Sequence, residues 1–232
     1  MWNGKKKALT FSFDDGVMQD RRLVEILKKY GLKGTFNLNS GMMYHECVWN
    51  TGGVDVIRLN HDECLELFGD FEPAVHTLTH PDLLSEGDYM RERQIAGDKA
   101  NLERLFGRKI YGMAYPGGSG TSDELIELVS RFGIKYARLP YDIKYEDVTF
   151  DVPQDLFRLT GVKISNGKLS DIAEKFVKLD RPELSLLYIW GHSYEFDING
   201  SWDRFEEICS MLSGRDDTFY GTNHECLQPF YK

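Results

Sequence analysis

The sequence predicts an α/β protein: one domain over residues 1–232 in which seven or eight β/α units close into a barrel. Short apolar, β-rich runs alternate with longer amphipathic runs along the whole chain, and this alternation implies parallel strands joined by right-handed crossovers. A length of 232 residues suits a single α/β barrel. An open doubly wound sheet is the alternative, but no glycine-rich phosphate loop follows the first predicted strand.

The predicted elements follow the spacing of the apolar residues. Ala8–Phe13 is predicted as the first strand. Gln19–Tyr30 is predicted as a helix because Leu23, Ile26 and Leu27 share one face. The other predicted strands are Thr35–Leu38, Ala74–Val75, Ile110–Ala114, Lys135–Arg138, Phe157–Lys163, Leu186–Trp190 and Thr218–Thr222, and the other predicted helices are Tyr89–Phe106, Ser122–Phe132, Ser170–Leu179 and Asp203–Leu212.

A long irregular loop is predicted over Ser40–Asn60, which is rich in glycine, methionine and aromatic residues. Loops of this length inside a compact domain often carry function. We therefore expect this segment to contribute to a binding site.

The composition excludes several classes of partner. Acidic residues outnumber basic ones by 37 to 28, for a formal charge of −9, and such a field repels nucleic acid. No stretch approaches the roughly 20 apolar residues that span a bilayer, so no membrane partner is expected. No apolar signal segment precedes the first strand, so a cytoplasmic location is expected.

The four cysteines are predicted to be free thiols. Cys47, Cys64, Cys209 and Cys226 lie far apart and form no CxxC pair. A disulfide pair is the alternative, and metal ligation by these residues is not expected.

Chemistry is expected directly after the apolar runs, because active sites in parallel α/β sheets lie at the carboxyl ends of the strands. The first run ends in Phe13, Asp14, Asp15 and Gly16. Two adjacent buried carboxylates repel one another, and a bound cation would relieve this and leave one of them as a base. Gly16 permits the tight turn that this needs. An Asp-Gly turn that caps the next helix is the alternative.

A pair of histidines follows the third strand. His76 and His80 are four residues apart, a spacing that would place both on one side of a helical turn and suits a metal ion. With Asp15 they supply three ligands and leave room for water, the open coordination of a catalytic zinc. A structural role for the pair is the alternative.

Two later strand ends add candidates. Tyr115, Pro116, Gly117 and Gly118 follow the fourth strand, and the backbone N–H of Gly117 is a candidate donor to an oxyanion. His192 ends the apolar strand that contains Trp190 and is a candidate general acid. A core histidine is the alternative.

These segments, in this order, resemble the polysaccharide deacetylase family, also called the NodB homology domain or carbohydrate esterase family 4. The resemblance spans residues 8 to about 222 and implies a distorted (β/α) barrel. It implies that Asp14 is the base, that Asp15, His76 and His80 bind a divalent metal, and that His192 is the acid. Zinc is the first expectation for that metal, with cobalt, nickel and manganese as alternatives.

The sequence departs from the family pattern in two places. The family has an arginine that pairs with the base carboxylate, and Ala114 stands in its place. We expect Arg138, at the end of the next strand, to reach the same cavity and orient Asp14. The family also has an aspartate that tunes the acid histidine, for which Asp142, Asp151 and Asp155 are the candidates.

The resemblance implies hydrolysis of the acetyl group of an N-acetylated or O-acetylated carbohydrate, with acetate as product. The expected partner is an acetylated sugar or oligosaccharide, and the oligomeric state is not predicted. Tyr115, Trp190 and Tyr194 are candidate sugar contacts, and Tyr44, Trp49 and Trp202 are weaker ones. A hydrolase of a cyclic amide or ureide on the same fold, and a non-catalytic carbohydrate-binding protein, are the alternatives.

Overall fold

Strands and helices alternate along the chain in the computed structural model, which describes residues 1–46, 48–118 and 120–231. The strands are β1 (Lys7–Asp14), β2 (Gly34–Leu38), β3 (Val48–Thr51), β4 (Val54–Ile57), β5 (Glu72–Val75), β6 (Gly112–Ala114), β7 (Tyr136–Asp142), β8 (Leu159–Lys163), β9 (Ser185–Gly191) and β10 (Thr218–Tyr220). The helices are α1 (Asp20–Lys29), α2 (His61–Phe68), α3 (Asp88–Phe106), α4 (Asp123–Arg131), α5 (Leu169–Lys178), α6 (Tyr194–Asn199), α7 (Trp202–Leu212) and α8 (Asn223–Leu227).

The main sheet is a closed parallel barrel. In the described part of the chain its strands pair in the order β1-β2-β5-β6-β7-β8-β9, and β9 pairs back onto β1. The closing contact runs from Lys7 opposite Ser185 to Phe13 opposite Gly191. β10 is an additional parallel strand against the first residues of β1. The predicted barrel of seven or eight strands is confirmed.

Strand β1 shows how the barrel separates two cores. All of its residues are buried, and alternate side chains point to opposite faces. Phe11 and Phe13 point outward, where the edge of each ring meets Phe205 of α7 at 6.1 and 6.2 Å. Ala8 belongs to a second apolar cluster inside the barrel. Asp14, an even number of residues later, therefore points into the barrel at its carboxyl end.

The register of neighbouring strands determines which residues meet at that carboxyl end. Three pairs mark this edge: Phe13 with Gly191, Asp14 with Asn37, and Ala114 with Arg138. Because His192 directly follows Gly191, the first pair brings it beside Asp14.

The prediction of a long irregular loop over Ser40–Asn60 is wrong. β3 and β4 form an antiparallel hairpin there, with Val48 opposite Ile57. Its turn is Gly52-Gly53, with φ values of 57° and 82°, which is the backbone of a type I′ hairpin turn. Two glycines between alternating residues are a hairpin signal, so the sequence contained the information.

Other elements differ from prediction mainly at their ends. β6 begins at Gly112 rather than at Ile110, and β7 continues to Asp142. Helices α2, α6 and α8 were not predicted, although Asn60 and Glu63 form a capping box at the start of α2. Within the described residues, no helix is both long enough and apolar enough to cross a bilayer.

The cysteine prediction holds where the structure describes it. Cys64, Cys209 and Cys226 are buried free thiols. Cys47 lies outside the described residues. Burial raises the pKa of each of the three described thiols, so they are inert core residues.

We expect Gly112→Ala to destabilise the protein by about 1–3 kcal/mol, the usual effect of overpacking a core. The hydroxyl of Tyr136 crosses the barrel above Gly112 to reach Glu72 Oε1 at 2.7 Å. A Cβ on Gly112 would lie 2.0 Å from that hydroxyl oxygen. Urea unfolding measures the change. Gly167→Ala is the control, because an added Cβ there meets nothing within 4 Å; an equal effect of both substitutions would contradict this explanation.

Candidate active site

The aspartate pair sits at a sharp turn after β1. Asp15 and Gly16 have φ values of 86° and 65°, and this left-handed pair reverses the chain directly after Asp14. A Cβ on Gly16 would lie 2.8 Å from the side chain of Leu38, so only glycine fits this turn without a shift. The alternative of a helix cap is wrong, because Gln19 occupies the cap position of α1.

Asp15, His76 and His80 come together around one point. Their ligand atoms all lie within 4.8 Å of one another, and His80 Nε2 is 3.9 Å from Asp15 Oδ1. The predicted helical turn is wrong, however. Thr77 and His80 have φ values of 70° and 57°, so two left-handed residues, rather than a helix, bring the two rings to a centroid distance of 4.8 Å.

His76 is prepared to act as a ligand through Nε2. Its Nδ1 lies 2.8 Å from the carbonyl oxygen of Ala114, and since a carbonyl only accepts, Nδ1 carries the proton. Nε2 is buried and has no hydrogen-bond partner among the residues that the structure describes. Burial lowers the pKa of His76 to about 4, which keeps the imidazole neutral. A neutral, oriented imidazole beside a carboxylate and a second imidazole fits a divalent metal ion.

Two buried polar side chains hold the loop that carries these histidines. Asn39 Nδ2 donates to the carbonyl oxygens of His76 and Thr77, the latter at 3.0 Å. Asp98 on α3 accepts the backbone N–H of His76 at 3.0 Å. These contacts stabilise a positive φ at Thr77, which is costly for a β-branched residue. The sequence analysis missed Asn39 and Asp98, although Asn39 directly follows a strand, where functional residues are expected.

Asp14 forms a bidentate ion pair inside the barrel. Arg138 Nη2 lies 2.6 and 2.5 Å from the two carboxylate oxygens, and Asn37 Nδ2 donates to Oδ1 at 2.8 Å. Burial alone would raise the pKa of Asp14, but Arg138, with His76 and His192, holds it well below its usual range. Arg138 thus reaches the cavity despite Ala114. Its role in orienting a base stays a prediction.

His192 faces both aspartates. Its Nε2 is 3.7 Å from Asp14 Oδ2 and 3.9 Å from Asp15 Oδ2, and its Nδ1 is 2.6 Å from Glu195 Oε1. Burial lowers the pKa of His192, but the Glu195, Asp14 and Asp15 carboxylates outweigh it and raise the pKa overall.

The carboxylate that contacts His192, the predicted acid, is therefore Glu195, and the prediction of Asp142, Asp151 or Asp155 is wrong. Each of these aspartates is engaged elsewhere: Asp142 accepts from the backbone of Lys163 and from Asn166, Asp151 pairs with Arg181, and Asp155 pairs with Arg158. A short turn before α6 makes Glu195 a neighbour of the histidine three residues earlier.

Arg58 was also missed, because it lies at the end of the segment predicted as a loop. It is 4% exposed. Nη2 is 3.0 Å from Asp15 Oδ1, and Nη1 donates to the backbone carbonyl of Asp15 and to Asn39 Oδ1. Its guanidinium also lies 5.1 Å from the ring centroid of Trp49 in the hairpin. The hairpin region thus contacts Asp15, the carboxylate of the candidate metal centre, through Arg58.

Two of the three predicted sugar contacts are wrong. Tyr115 and Trp190 are only 1% and 3% exposed. Tyr115 packs in the outer core, and the Trp190 ring lies under the Arg138 guanidinium at 4.1 Å.

Tyr194 remains a candidate sugar contact, and Trp49, one of the weaker candidates, lies next to it. Tyr194 is half-buried and stacks on His192 at 5.0 Å. The half-buried Trp49 meets it edge-on at 5.8 Å. Gly117, the predicted oxyanion donor, has a φ of 72° in the turn after β6, and its role stays a prediction.

Comparison with known proteins gives one family match. The sequence model described as polysaccharide deacetylase matches residues 2–137, which is more than half of the 232 residues. No curated protein sequence matches the chain.

Several solved structures share the fold. A polysaccharide deacetylase from Bacillus cereus has 21% identity and a TM-score of 0.53, over 66% of this chain and 46% of that one. The chitin deacetylase from Colletotrichum lindemuthianum has 18% identity and a TM-score of 0.59, over 99% and 92%. A family 4 carbohydrate esterase from Streptomyces lividans, in complex with acetate, has 16% identity and a TM-score of 0.57, over 90% and 89%.

The chain thus spans less than half the length of the Bacillus cereus protein but nearly all of the fungal one. At these identities the likeness establishes the barrel fold alone. The family follows from the sequence match over residues 2–137: this chain belongs to the polysaccharide deacetylase family.

Proposed function

We propose that the protein is a metal-dependent hydrolase that removes the acetyl group from an N-acetylated carbohydrate, or from an O-acetylated one. One observation carries this proposal. An ionised carboxylate, Asp14, and an imidazole, His192, lie 3.7 Å apart beside the cluster of Asp15, His76 and His80. A base, an acid and three ligands around one point are the requirements of metal-assisted hydrolysis.

Asp15, His76 and His80 would hold the ion, with zinc as the first expectation. When bound, a divalent ion supplies Lewis acidity, which polarises a carbonyl and lowers the pKa of a water molecule. The lone pair of His76 Nε2 is available because Nδ1 is bonded to the carbonyl of Ala114. The left-handed turn at Asp15 aims its carboxylate at the same point.

Asp14 is proposed as the base that takes the proton of the attacking water. Its lowered pKa keeps it ionised at neutral pH. The two contacts from Arg138 and the one from Asn37 fix the plane of the carboxylate, so that it does not rotate away from the reacting water. Ala114 therefore gives no reason to prefer a cyclic amide or ureide, because Arg138 supplies the guanidinium.

His192 is proposed as the acid that protonates the departing amine. Glu195 holds Nδ1, so Nε2 is the nitrogen that faces Asp14 and the reacting centre. The raised pKa of His192 favours the protonated form that an acid requires. An amine, like an alkoxide, is too basic to leave without a proton.

The substrate class is inferred from the family and from the aromatic wall, by which we mean Trp49 and Tyr194. The similar fungal structure is that of a chitin deacetylase, and chitin is an N-acetylated polymer. The aromatic wall lies beside His192 and offers ring faces for an apolar sugar face. Gly117 is proposed to donate its backbone N–H to the oxyanion.

The first test is metal content, followed by acetate release from N-acetylglucosamine oligomers. We expect one divalent ion per chain, acetate release that chelation abolishes, and recovery when the ion is restored. Activity on a cyclic amide without acetate release would favour the rival hydrolase. Metal and sugar binding without any turnover would favour a non-catalytic protein.

Asp14→Asn should lower kcat by about 10²–10⁴-fold, the usual contribution of a general base. The metal content should stay at the wild-type value, because the three proposed ligands are unchanged. Asp62→Asn, which removes an exposed carboxylate on α2, is the matched control and should leave both quantities unchanged. Loss of the metal in Asp14→Asn would place Asp14 among the ligands instead.

Glu195→Gln should move the alkaline limb of the pH–rate profile to lower pH. The protonated form of His192 is the active one, so the rate falls as pH rises through its pKa. Glu195 contributes to raising that pKa, so its neutral replacement should make His192 lose its proton earlier. At pH 8 we expect about a tenfold or larger loss of rate, within the range for general acids.

The matched control for this change is Glu127→Gln, an exposed position on α4, which should leave the profile in place. An unchanged alkaline limb in Glu195→Gln would mean that His192 is not the titrating acid.

A further inference from the structure

Each carboxylate that faces the candidate site has its own fixed cation. The pairs are Asp14 with Arg138 at 2.5 Å, Asp15 with Arg58 at 3.0 Å, and Glu195 with Lys163 at 3.1 Å. These three pairs carry no net charge among themselves. The pairing of Asp15 is the unusual one, because Asp15 is also a proposed metal ligand.

Arg58 is a buried part of the candidate site. Its side chain and that of Asp15 are both 5% exposed, and Nη1 also holds the backbone carbonyl of Asp15. Asn39 accepts from Nη1 at 2.7 Å, and the Trp49 ring covers the guanidinium. These contacts hold the guanidinium against Asp15.

Two other buried carboxylates, Asp20 and Asp98, are held by backbone N–H groups, and neither has an ion pair among the residues that the structure describes. Asp20 accepts from Val17 at 2.9 Å, and Asp98 accepts from Ser40 and His76. Asp15 is also buried, but its Oδ1 lies 3.0 Å from Arg58 Nη2.

We propose that Arg58 is the resident counter-ion of Asp15: it stabilises the metal-free protein and thereby weakens the binding of the divalent ion. This inference rests on the proposed function, since it concerns the same metal centre. A buried carboxylate without a partner is strongly destabilising, and binding an ion would relieve that state. Because Arg58 already neutralises Asp15, ion binding gains less free energy from relieving an unpaired charge. The positive charge of Arg58 also repels the ion at close range.

The opposite effect, that Arg58 organises the ligands and so strengthens binding, is the smaller one. Asn39, which Arg58 contacts, bonds the carbonyls of His76 and Thr77, but the histidine loop also has a support that Arg58 does not reach. Asp98 holds the N–H of His76. The turn at Asp15 is defined by Gly16 and by the bond from Asp15 N to the carbonyl of Asn37 at 3.0 Å.

The experiment measures metal affinity in full-length protein stripped with a chelator, at pH 8. Zinc is titrated against a chromophoric competitor, and cobalt is titrated by calorimetry. We expect Arg58→Gln to bind both ions about tenfold more tightly, or about 1.4 kcal/mol. Its melting temperature should rise more on adding zinc than that of the wild type, because ligand stabilisation grows with affinity.

Arg58→Lys separates the charge from the shape of the side chain. It keeps the positive charge but loses the forked donors, so a counter-ion predicts affinity within about threefold of wild type. Arg22→Gln, at an exposed arginine of α1 that faces Asp203, controls for the change in net charge and should bind as wild type does.

The outcomes separate this inference from the proposed function. A wild-type protein that binds no ion overturns both. A wild type that binds one ion per chain, with Arg58→Gln binding equally or more weakly, overturns the counter-ion alone. If Arg58→Gln does not fold even with zinc, Arg58→Lys decides, because a tenfold loss of affinity there would make Arg58 an organiser of the site.

Discussion

The structure depends on burying two adjacent ionised carboxylates, Asp14 and Asp15, at the end of a central strand. An unpaired buried charge costs several kcal/mol, so each needs a positive partner that the fold brings close. Asp14 receives Arg138 from inside the barrel, and Asp15 receives Arg58 from beside the hairpin. Each carboxylate is thereby held charged and in a fixed orientation, which is the state that hydrolytic chemistry requires.

Closure of the barrel supplies most of these partners. The pairing of β9 with β1 brings His192 beside Asp14, and the pairing of β1 with β2 brings Asn37 to the same carboxylate. The pairing of β6 with β7 aligns Ala114 with Arg138. Arg138 therefore reaches Asp14, the proposed base, from the strand next to the one that ends in Ala114. The backbone carbonyl of Ala114 also orients His76.

The hairpin completes the site from outside the barrel. Its tip packs against α6, where a Cβ on Gly52 would lie 2.7 Å from Ile198, and Trp49 meets Tyr194. Arg58, directly after the hairpin, contacts Asp15 through its side chain. The hairpin and Arg58 thus contact the turn at Asp15, the aromatic wall and helix α6, which carries Glu195. This segment places Arg58 and Trp49 at the candidate site, although the prediction of its structure as a loop is wrong.

The sequence by itself determined the barrel and most of the candidate site residues. Alternating apolar runs predict parallel β/α units, and Asp14, Asp15, His76 and His192 could be identified because each directly follows such a run. These are local signals, since side-chain periodicity and strand ends are written in consecutive residues. The Gly52-Gly53 turn was a local signal of the same kind that was overlooked.

Only the tertiary structure decided which charges pair. Glu195 rather than Asp142, Asp151 or Asp155 contacts His192, and Arg58 holds Asp15 across 43 residues. The histidines meet through left-handed residues and not through a helical turn. An ion pair or a ligand set requires positions accurate to within about 1 Å, and strand register and loop path set those positions, whereas the spacing of residues along the chain does not.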